Sequence, residues 1–250
     1  DAWNVKTVIR GVYTDADRED IQDDLIRTGE FSEDFLDRLT DATSIEELVE
    51  LLENTIFGDP LSAALSDYES EGVLVPLENA VDRAFYAHLM DDIGTPEPDT
   101  PTALYREFLQ AEIDFRNVRN ALRIARSGAD IDPVAYFMDG GRLFAADEIR
   151  QLASNTEELV ARIRESTYGD DLADALEDLE DADSLIGFEH ALDAALLEYS
   201  QKLSNRYPLS VCPVLSYVLA KEREIENIRA IARGREAGLS VEEIETELVQ

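Results

Sequence analysis

The chain has 250 residues, of which 56 are acidic and 22 are basic, and its formal net charge is −34. A surface of this sign repels nucleic acid and anionic lipid head groups, so the composition argues against direct binding to either. Hydrophobic residues make up 44% of the chain, which is enough for a sizeable core, and the acids are spread along its whole length. We interpret them as a solvated surface adapted to high salt, with a specific basic partner as the alternative.

Cysteine usage and hydropathy point to a reducing, cytoplasmic setting. Cys212 is the only cysteine, so the chain forms no internal disulfide and no cysteine metal cluster. We expect it to be a buried small hydrophobe. The longest uncharged run, 207–220, has 14 residues and two prolines, fewer than the ~20 residues of a membrane helix. The sequence shows no signal peptide, and it starts inside a motif that recurs later, so we expect an N-terminal portion to be absent.

Helical periodicity dominates the chain, and no alternating strand pattern is visible, so the sequence predicts an all-α fold. Ser32 is a candidate N-cap, and Ser44 with Glu47 forms a capping box. In the first part, the predicted helices are 1–13, stopped near Gly11; one around Ile21, Leu25 and Ile26, ended by Gly29; one through Phe35, Leu36 and Leu39; 44–57, broken by Gly58-Asp59-Pro60; one through Leu61, Leu65 and Tyr68; and 76–90.

A linker with three prolines, 92–101, precedes the second part of the chain. Gly140-Gly141 is predicted to be a further break, and Ser240 with Glu243 is predicted to cap the last helix. The predicted helices of this part are 102–127, 143–153, 155–166, 168–180, 185–203, 213–234 and a short C-terminal helix.

One motif occurs three times. It consists of an asparagine, an aliphatic residue and a basic residue, with an arginine four positions after the basic residue. The three copies begin at Asn4, Asn117 and Asn227, so the motif recurs at nearly even intervals along the chain. We predict that the polar members of this motif tie neighbouring helices together and have no catalytic role. The predicted tie residues are Asn4, Lys6, Arg10, Glu112, Asn117, Arg119, Arg123, Glu222, Asn227, Arg229 and Arg233.

The repeat extends beyond the motif. Residues 43–61 correspond to 154–172 at an offset of 111, and residues 77–84 correspond to 188–195. A period near 110 is too long for a solenoid, because solenoid repeats are about 20–50 residues long. We therefore predict three related helical subdomains. They are 1–94 with its start missing, 95–204, and a partial copy at 205–250.

The third motif helix has an apolar and a charged side. At 100° per residue, one arc holds Val214, Tyr217, Val218, Ile225, Ile228, Ile231 and Ala232, and Asn227 lies at its edge. Glu222, Glu226, Arg229 and Arg233 are predicted to share the opposite side. These charges form either a solvated face with spaced ion pairs or, as the alternative, ties to neighbouring helices.

Sequence motifs for catalysis are missing from the chain. His88 and His190 lie outside any Glu-x-x-His or His-Glu-x-x-His pattern, so they are expected to be ordinary helix-face residues. No phosphate loop or dinucleotide fingerprint occurs. The acidic window 178–189 has Asp183 where a calcium loop needs glycine. The sequence therefore predicts no catalytic, cofactor or metal site.

The motif helix and its flanks, PVLSYVLAKEREIENIRAIARGREAGLSVEEI, resemble the C-terminal signature of the C subunits of archaeal and bacterial A/V-type ATP synthases. That family includes the d subunit of eukaryotic V-ATPases. The segments DAWNVKTVIRG and EIDFRNVRNALR, with FGDPL after an amphipathic helix, are similar to its earlier repeats. The resemblance covers essentially the whole chain.

The resemblance implies a funnel-shaped, all-helical protein of three subdomains with pseudo-threefold symmetry. It implies a non-catalytic rotor subunit on the cytoplasmic face of the membrane, peripheral to it, between the proteolipid ring and central-stalk subunits D and F. The acidic surplus suggests a halophilic archaeal member. From the residues alone, an unrelated helical scaffold and a helical hydrolase or metal enzyme remain alternatives.

Overall fold

The computed structural model describes residues 1–127, 132–152, 155–170, 172–173, 176–177, 186–245 and 248. Every regular element in these residues is a helix and none is a β-strand, which confirms the predicted all-α fold. The chain divides into two compact units, Asp1–Asp92 and Ile93–Gln250. The segment 205–250, proposed from the sequence to be a third partial copy, falls within the second unit.

The first unit consists of six helices. Its core is formed by side chains that α1, α4 and α6 contribute, including Val5, Leu48 and Leu77, which are fully buried. The helices are α1 (Ala2–Thr14), α2 (Arg18–Asp23), α3 (Glu33–Leu39), α4 (Ile45–Leu51), α5 (Gly58–Glu71) and α6 (Val75–Ile93).

The predicted helix starts at Ser32 and Ser44 are confirmed. The Ser32 hydroxyl accepts a hydrogen bond from the Phe35 N–H at 3.3 Å, and the Ser44 hydroxyl accepts one from the Glu47 N–H at 3.2 Å. The Glu47 carboxylate accepts from the Thr43 N–H at 2.8 Å, one residue before the Ser44 N–H that the predicted capping box would use. Each cap satisfies a backbone donor that has no partner inside the helix.

The predicted roles of Gly11 and Gly58 as helix ends are wrong. Helix α1 continues through Gly11 and ends at Thr14, where Asp15 adopts a left-handed conformation with φ 53°. Gly11 serves packing, because a Cβ at this position would lie 2.5 Å from the Ile21 side chain. Gly58 begins α5 and does not break a helix, and Pro60 is tolerated because the first turn needs no N–H donor there.

In the described residues, the second unit contains six α-helices and one short 3₁₀-helix. They are α7 (Pro101–Ser127), the 3₁₀-helix (Pro133–Tyr136), α8 (Ala146–Leu152), α9 (Thr156–Arg164), α10 (Ile186–Arg206), α11 (Cys212–Glu236) and α12 (Val241–Glu245). Helix α7 packs against α9 and α10, and α10 packs against α11. Six of the 13 positions of the predicted helix at 168–180 lie outside the described residues.

The two ends of the chain share one local structure. The Gly11 carbonyl accepts a hydrogen bond from the Ala16 N–H at 3.0 Å, and the Gly234 carbonyl accepts one from the Leu239 N–H at 2.9 Å. A Cβ on Gly234 would lie 2.6 Å from the Ile244 side chain, and a Cβ on Gly11 would lie 2.5 Å from the Ile21 side chain. Helices α11 and α12 therefore repeat the arrangement of α1 and α2.

The predicted C-terminal cap and the expected burial of the cysteine are also confirmed. The Ser240 hydroxyl accepts from the Glu243 N–H, and the Glu243 carboxylate accepts from the Ser240 N–H at 2.8 Å. Cys212 is buried at the start of α11. None of the helices in the described part of the chain is long and apolar enough to cross a membrane.

Candidate functional site

In each of the first two copies, the motif asparagine makes two hydrogen bonds to the backbone of one loop residue. Asn4 donates to the Ile26 carbonyl at 2.7 Å and accepts from the Ile26 N–H at 2.8 Å. Asn117 makes the same pair of bonds with Met138, at 2.9 Å and 2.8 Å. The two asparagines are 1% and 2% exposed, so each amide satisfies one donor and one acceptor that water does not reach.

In the first two copies, the basic residue two positions after the asparagine pairs with the last long helix of its copy. Lys6 Nζ lies 2.6 Å from Asp82 Oδ1 on α6, and Arg119 pairs with Asp193 on α10. Asp193 stands where Asp82 does, at the same offset that relates residues 43–61 to 154–172. All four side chains are largely buried, so these pairs are less screened than surface pairs are.

A second ion pair lies one helical turn further along the first copy. Arg10 Nε lies 2.5 Å from Glu78 Oε1, so Lys6 and Arg10 on α1 meet Asp82 and Glu78 on α6 in reverse order. This order requires the two helices to run antiparallel. Arg123 holds the place of Arg10 on α7.

Asp193 connects three helices of the second unit. One of its carboxylate oxygens pairs with Arg119 on α7, and the other lies 2.9 Å from Arg223 Nη1 on α11. Arg223 also pairs with Glu226 on its own helix. A carboxylate shared by two guanidinium groups holds α7, α10 and α11 together through charge-assisted hydrogen bonds.

The sequence reasoning missed a further carboxylate that anchors a loop in each of the first two copies. Asp1 accepts from the Glu30 and Phe31 N–H groups, at 2.9 Å and 3.3 Å. Asp114 accepts from the Arg142 and Leu143 N–H groups, at 2.8 Å and 2.9 Å. The signal was present, because an acid stands three positions before each motif asparagine, with Glu224 in the third copy.

Asp114 is the most enclosed ionisable group of this set. It also accepts from the Tyr168 hydroxyl at 3.0 Å, and a Cβ added to Gly141 would overlap with its Oδ1 atom. Burial raises the pKa of Asp114 above its ordinary value of 3.8, and the three hydrogen bonds only partly oppose that rise. Burial and the adjacent Asp114 carboxylate raise the pKa of Tyr168, which therefore stays a neutral donor.

The remaining predicted tie residues lie in other settings. Glu112 pairs with Arg116, one turn further along α7, at 3.3 Å. Glu222, Arg229 and Arg233 are exposed on α11, and Asn227 is half-buried there. For Asn227, the backbone position equivalent to Ile26 is 249, which lies outside the described residues.

The apolar arc of α11 is largely exposed. Val214, Tyr217, Val218, Ile225 and Ile228 are each about half exposed or more. The equivalence of Arg229 with Lys6 and of Arg233 with Arg10 puts both arginines beside the apolar face, because Lys6 and Arg10 meet the helix that packs there.

The described residues contain no group of three or more histidine, cysteine, aspartate or glutamate side chains that could hold a metal ion. His88 lies on α6 and its Nε2 is 3.4 Å from Asp92, an i,i+4 contact along the helix. His190 lies on α10 and is half-buried. The arrangement as a whole consists of paired charges and satisfied amides that link helices.

Comparison with known proteins places this framework in a family. A family model described as ATP synthase (C/AC39) subunit matches residues 1–247. The chain is 65% identical over 249 residues to the C subunit of the A-type ATP synthase of Haloferax volcanii, covering 100% of this chain and 71% of that protein. The proteins of the same name from Halorubrum lacusprofundi and Methanococcoides burtonii are 63% and 30% identical, over 100% of this chain and 71% and 68% of theirs.

Proposed function

The chain belongs to the ATP synthase (C/AC39) subunit family, and on this premise we propose that it is a non-catalytic central-stalk subunit of a rotary A-type ATP synthase. In this role it links the membrane proteolipid ring to central-stalk subunits D and F. It transmits torque between them during proton-coupled ATP synthesis or hydrolysis. Family membership over the whole chain argues against the unrelated scaffold and against the helical metal enzyme.

The observation that supports this role is the repeated cross-helix ion pair. Lys6 with Asp82 and Arg119 with Asp193 join the first and last long helices of their copies at equivalent positions. A torque coupler must resist sliding of its helices past one another. Largely buried ion pairs oppose such sliding, because separating them leaves a charge desolvated and unpaired.

The buried polar groups also favour a structural role. Asp114, the carboxylate best placed to act as a buried base, already accepts three hydrogen bonds from two backbone N–H groups and Tyr168. Asp193 is shared between two arginines. These carboxylates are engaged in holding helices and loops, so neither is free to take a proton from a substrate.

The charge of the chain bears on how it meets the membrane sector. A net charge of −34 disfavours contact with anionic lipid head groups, so we propose that the chain contacts protein loops of the proteolipid ring. This gives a peripheral position on the cytoplasmic face of the membrane. Three framework copies with pseudo-threefold symmetry are part of the same proposal, which a measured structure of the assembled complex would check.

Co-purification from a mild detergent extract in molar salt tests the proposal. The tagged protein is expected to bring down the proteolipid ring together with subunits D and F. Vesicles containing the assembled enzyme then report proton-driven ATP synthesis. Asp193→Ala should lower that rate, and Glu198→Ala, an exposed change on the same helix, should leave it unchanged. A protein that stays unassociated with the ring and the stalk contradicts the proposal.

A further inference from the structure

The two sides of α11 differ sharply in how they are covered. One side packs into the second unit through Cys212, Leu219 and the Arg223–Asp193 pair. The other side presents a stripe of large apolar side chains to solvent. We call this stripe the open face of α11, and it consists of Val214, Tyr217, Val218, Ile225 and Ile228.

The same positions are buried in the other two copies of the repeat. Ile228 is 58% exposed, whereas Val5 and Val118, which hold its place on α1 and α7, are 0% exposed. Val214 and Val218 likewise correspond to Leu104 and Phe108 of α7, and both of these are buried. A contiguous apolar stripe on a solvated protein marks an interaction site. The open face of α11 therefore has the composition of a surface that is buried in a protein core, but no helix of the described residues packs on it.

The covered copies show what the cover is. Leu77 and Val81 on α6 are fully buried in the same core cluster as Val5. Helix α6 also brings Asp82 to Lys6 and Glu78 to Arg10, so it runs antiparallel to α1. In the second unit α10 brings Asp193 to Arg119 in the same way.

The covering helices share a short sequence pattern. Residues 78–82 read Glu-Asn-Ala-Val-Asp, and residues 189–193 read Glu-His-Ala-Leu-Asp. The common pattern is Glu-x-Ala-aliphatic-Asp, and its two acids lie one helical turn apart. The sequence contains this pattern only at these two places, and both helices already pack within their own units.

We propose that the open face of α11 is the docking surface for a third helix of this type, supplied from outside these 250 residues. The helix runs antiparallel to α11 and carries Glu-x-Ala-aliphatic-Asp. Its aspartate pairs with Arg229, the equivalent of Lys6 and Arg119, and its glutamate pairs with Arg233, the equivalent of Arg10. Its aliphatic residue packs on Ile228. This inference is independent of the proposed role in torque transmission.

Thiol labelling in the assembled enzyme tests whether the face is covered. Ile228→Cys is labelled with a maleimide in the isolated 250-residue chain and in the ATP synthase complex purified in molar salt. Glu226→Cys is the matched control, because Glu226 holds the place of Trp3, which stays exposed although α1 is covered. The unsubstituted protein, with its buried Cys212, gives the background.

The thiol of Ile228→Cys is expected to react in the complex at least about tenfold more slowly than in the isolated chain, because its reaction then requires local opening. The rate for Glu226→Cys should stay within about twofold of its isolated value. Equal rates for Ile228→Cys in both states overturn the proposal.

A photo-crosslinking amino acid placed at position 228 identifies the cover. Mass spectrometry of the crosslinked peptide is expected to show a helical segment with Glu-x-Ala-aliphatic-Asp. Arg229→Asp should abolish the crosslink, and replacing the aspartate of the captured helix by arginine should restore it. Capture of lipid, of a second copy of this chain, or of a peptide without the acidic pair overturns the proposal.

Discussion

Lys6 Nζ lies 2.6 Å from Asp82 Oδ1, although 76 residues separate the two along the chain. The pair joins the first helix of the first unit to its last helix, and its two side chains are less than one-fifth exposed. The second unit repeats it with Arg119 and Asp193. The framework of the repeat is therefore a set of long-range polar contacts, and each of them predicts a measurable effect.

Asp82→Ala is expected to lower the free energy of unfolding of the first unit by about 1–3 kcal/mol, because it leaves Lys6 largely buried without its charge partner. Denaturant unfolding in molar salt measures this loss. Glu198→Ala breaks an exposed pair with Lys202 and should cost less than about 1 kcal/mol. The charge swap Lys6→Asp with Asp82→Lys should recover part of the loss, and a swap no better than Asp82→Ala would contradict the assignment.

Asn117→Ala is expected to destabilise the second unit by about 2–4 kcal/mol, since both backbone groups of Met138 lose their partner in a buried loop. Asn120→Ala is the control and should cost less, because it removes one half-buried hydrogen bond, to the Tyr136 carbonyl at 3.1 Å. Hydrogen exchange at the Met138 amide provides a local readout. Exchange there should accelerate strongly in Asn117→Ala and only weakly in Asn120→Ala.

Gly141→Ala is expected to displace the Asp114 carboxylate, because a Cβ at position 141 would overlap with its Oδ1 atom. The expected loss of unfolding free energy is about 2 kcal/mol or more, since a buried charge and two N–H groups lose their partners. Gly72→Ala is the control. A Cβ there meets nothing within 4 Å, so only its φ of +70° carries a cost, of about 1 kcal/mol. Equal losses in the two variants would rule out the overlap as the cause.

Asp114 also predicts a pH dependence of stability. Its pKa is raised in the folded state, so in the pH range between that raised pKa and 3.8 the folded protein binds more protons than the unfolded chain. The contribution of Asp114 to stability therefore grows as the pH falls through this range, and is lost as the pH rises through the folded pKa. On acidification, the free energy of unfolding of the unsubstituted protein should increase relative to that of Asp114→Asn. Taking the difference cancels the opposite contribution of carboxylates with lowered pKa, such as Asp132.

The net charge of −34 predicts that stability depends on salt. Molar salt reduces the screening length to about 3 Å and weakens the repulsion among surface acids, so the melting temperature should rise by about 5 °C or more from dilute buffer. The relatives of 61–65% identity come from halophilic archaea, which fits this expectation. An unchanged melting temperature would contradict it.

Local features of this fold could be predicted from the sequence, because they depend on neighbouring residues. The caps at Ser32, Ser44 and Ser240 each involve a partner three positions away. Gly11 has the sequence pattern of a helix end, whereas its real role, contact with Ile21, depends on how α2 folds back. The partners of the ion pairs likewise depend on the tertiary fold and could not be predicted from neighbouring residues.

The repeated motif indicates that Lys6 and Arg119 have a shared structural role, but it does not identify the residues that they contact. Asp82 stands 76 residues from Lys6, and Asp193 stands 74 residues from Arg119, among many acids with the same local pattern. Asp1 and Asp114 escape notice although an acid precedes each motif asparagine, because acids are so frequent in this chain that one more regular spacing does not stand out. Only the folded structure distinguishes a buried carboxylate from a solvated one.

The sharing of Asp193 between two arginines has a consequence for how the sequence can change over evolutionary time. Lys6 and Asp82 can exchange their charges together, so two coordinated mutations preserve their contact. Asp193 serves Arg119 and Arg223 at once, and any change in its charge requires matching changes on two separate helices. We therefore expect the acid at position 193 and its two arginines to change only together among relatives.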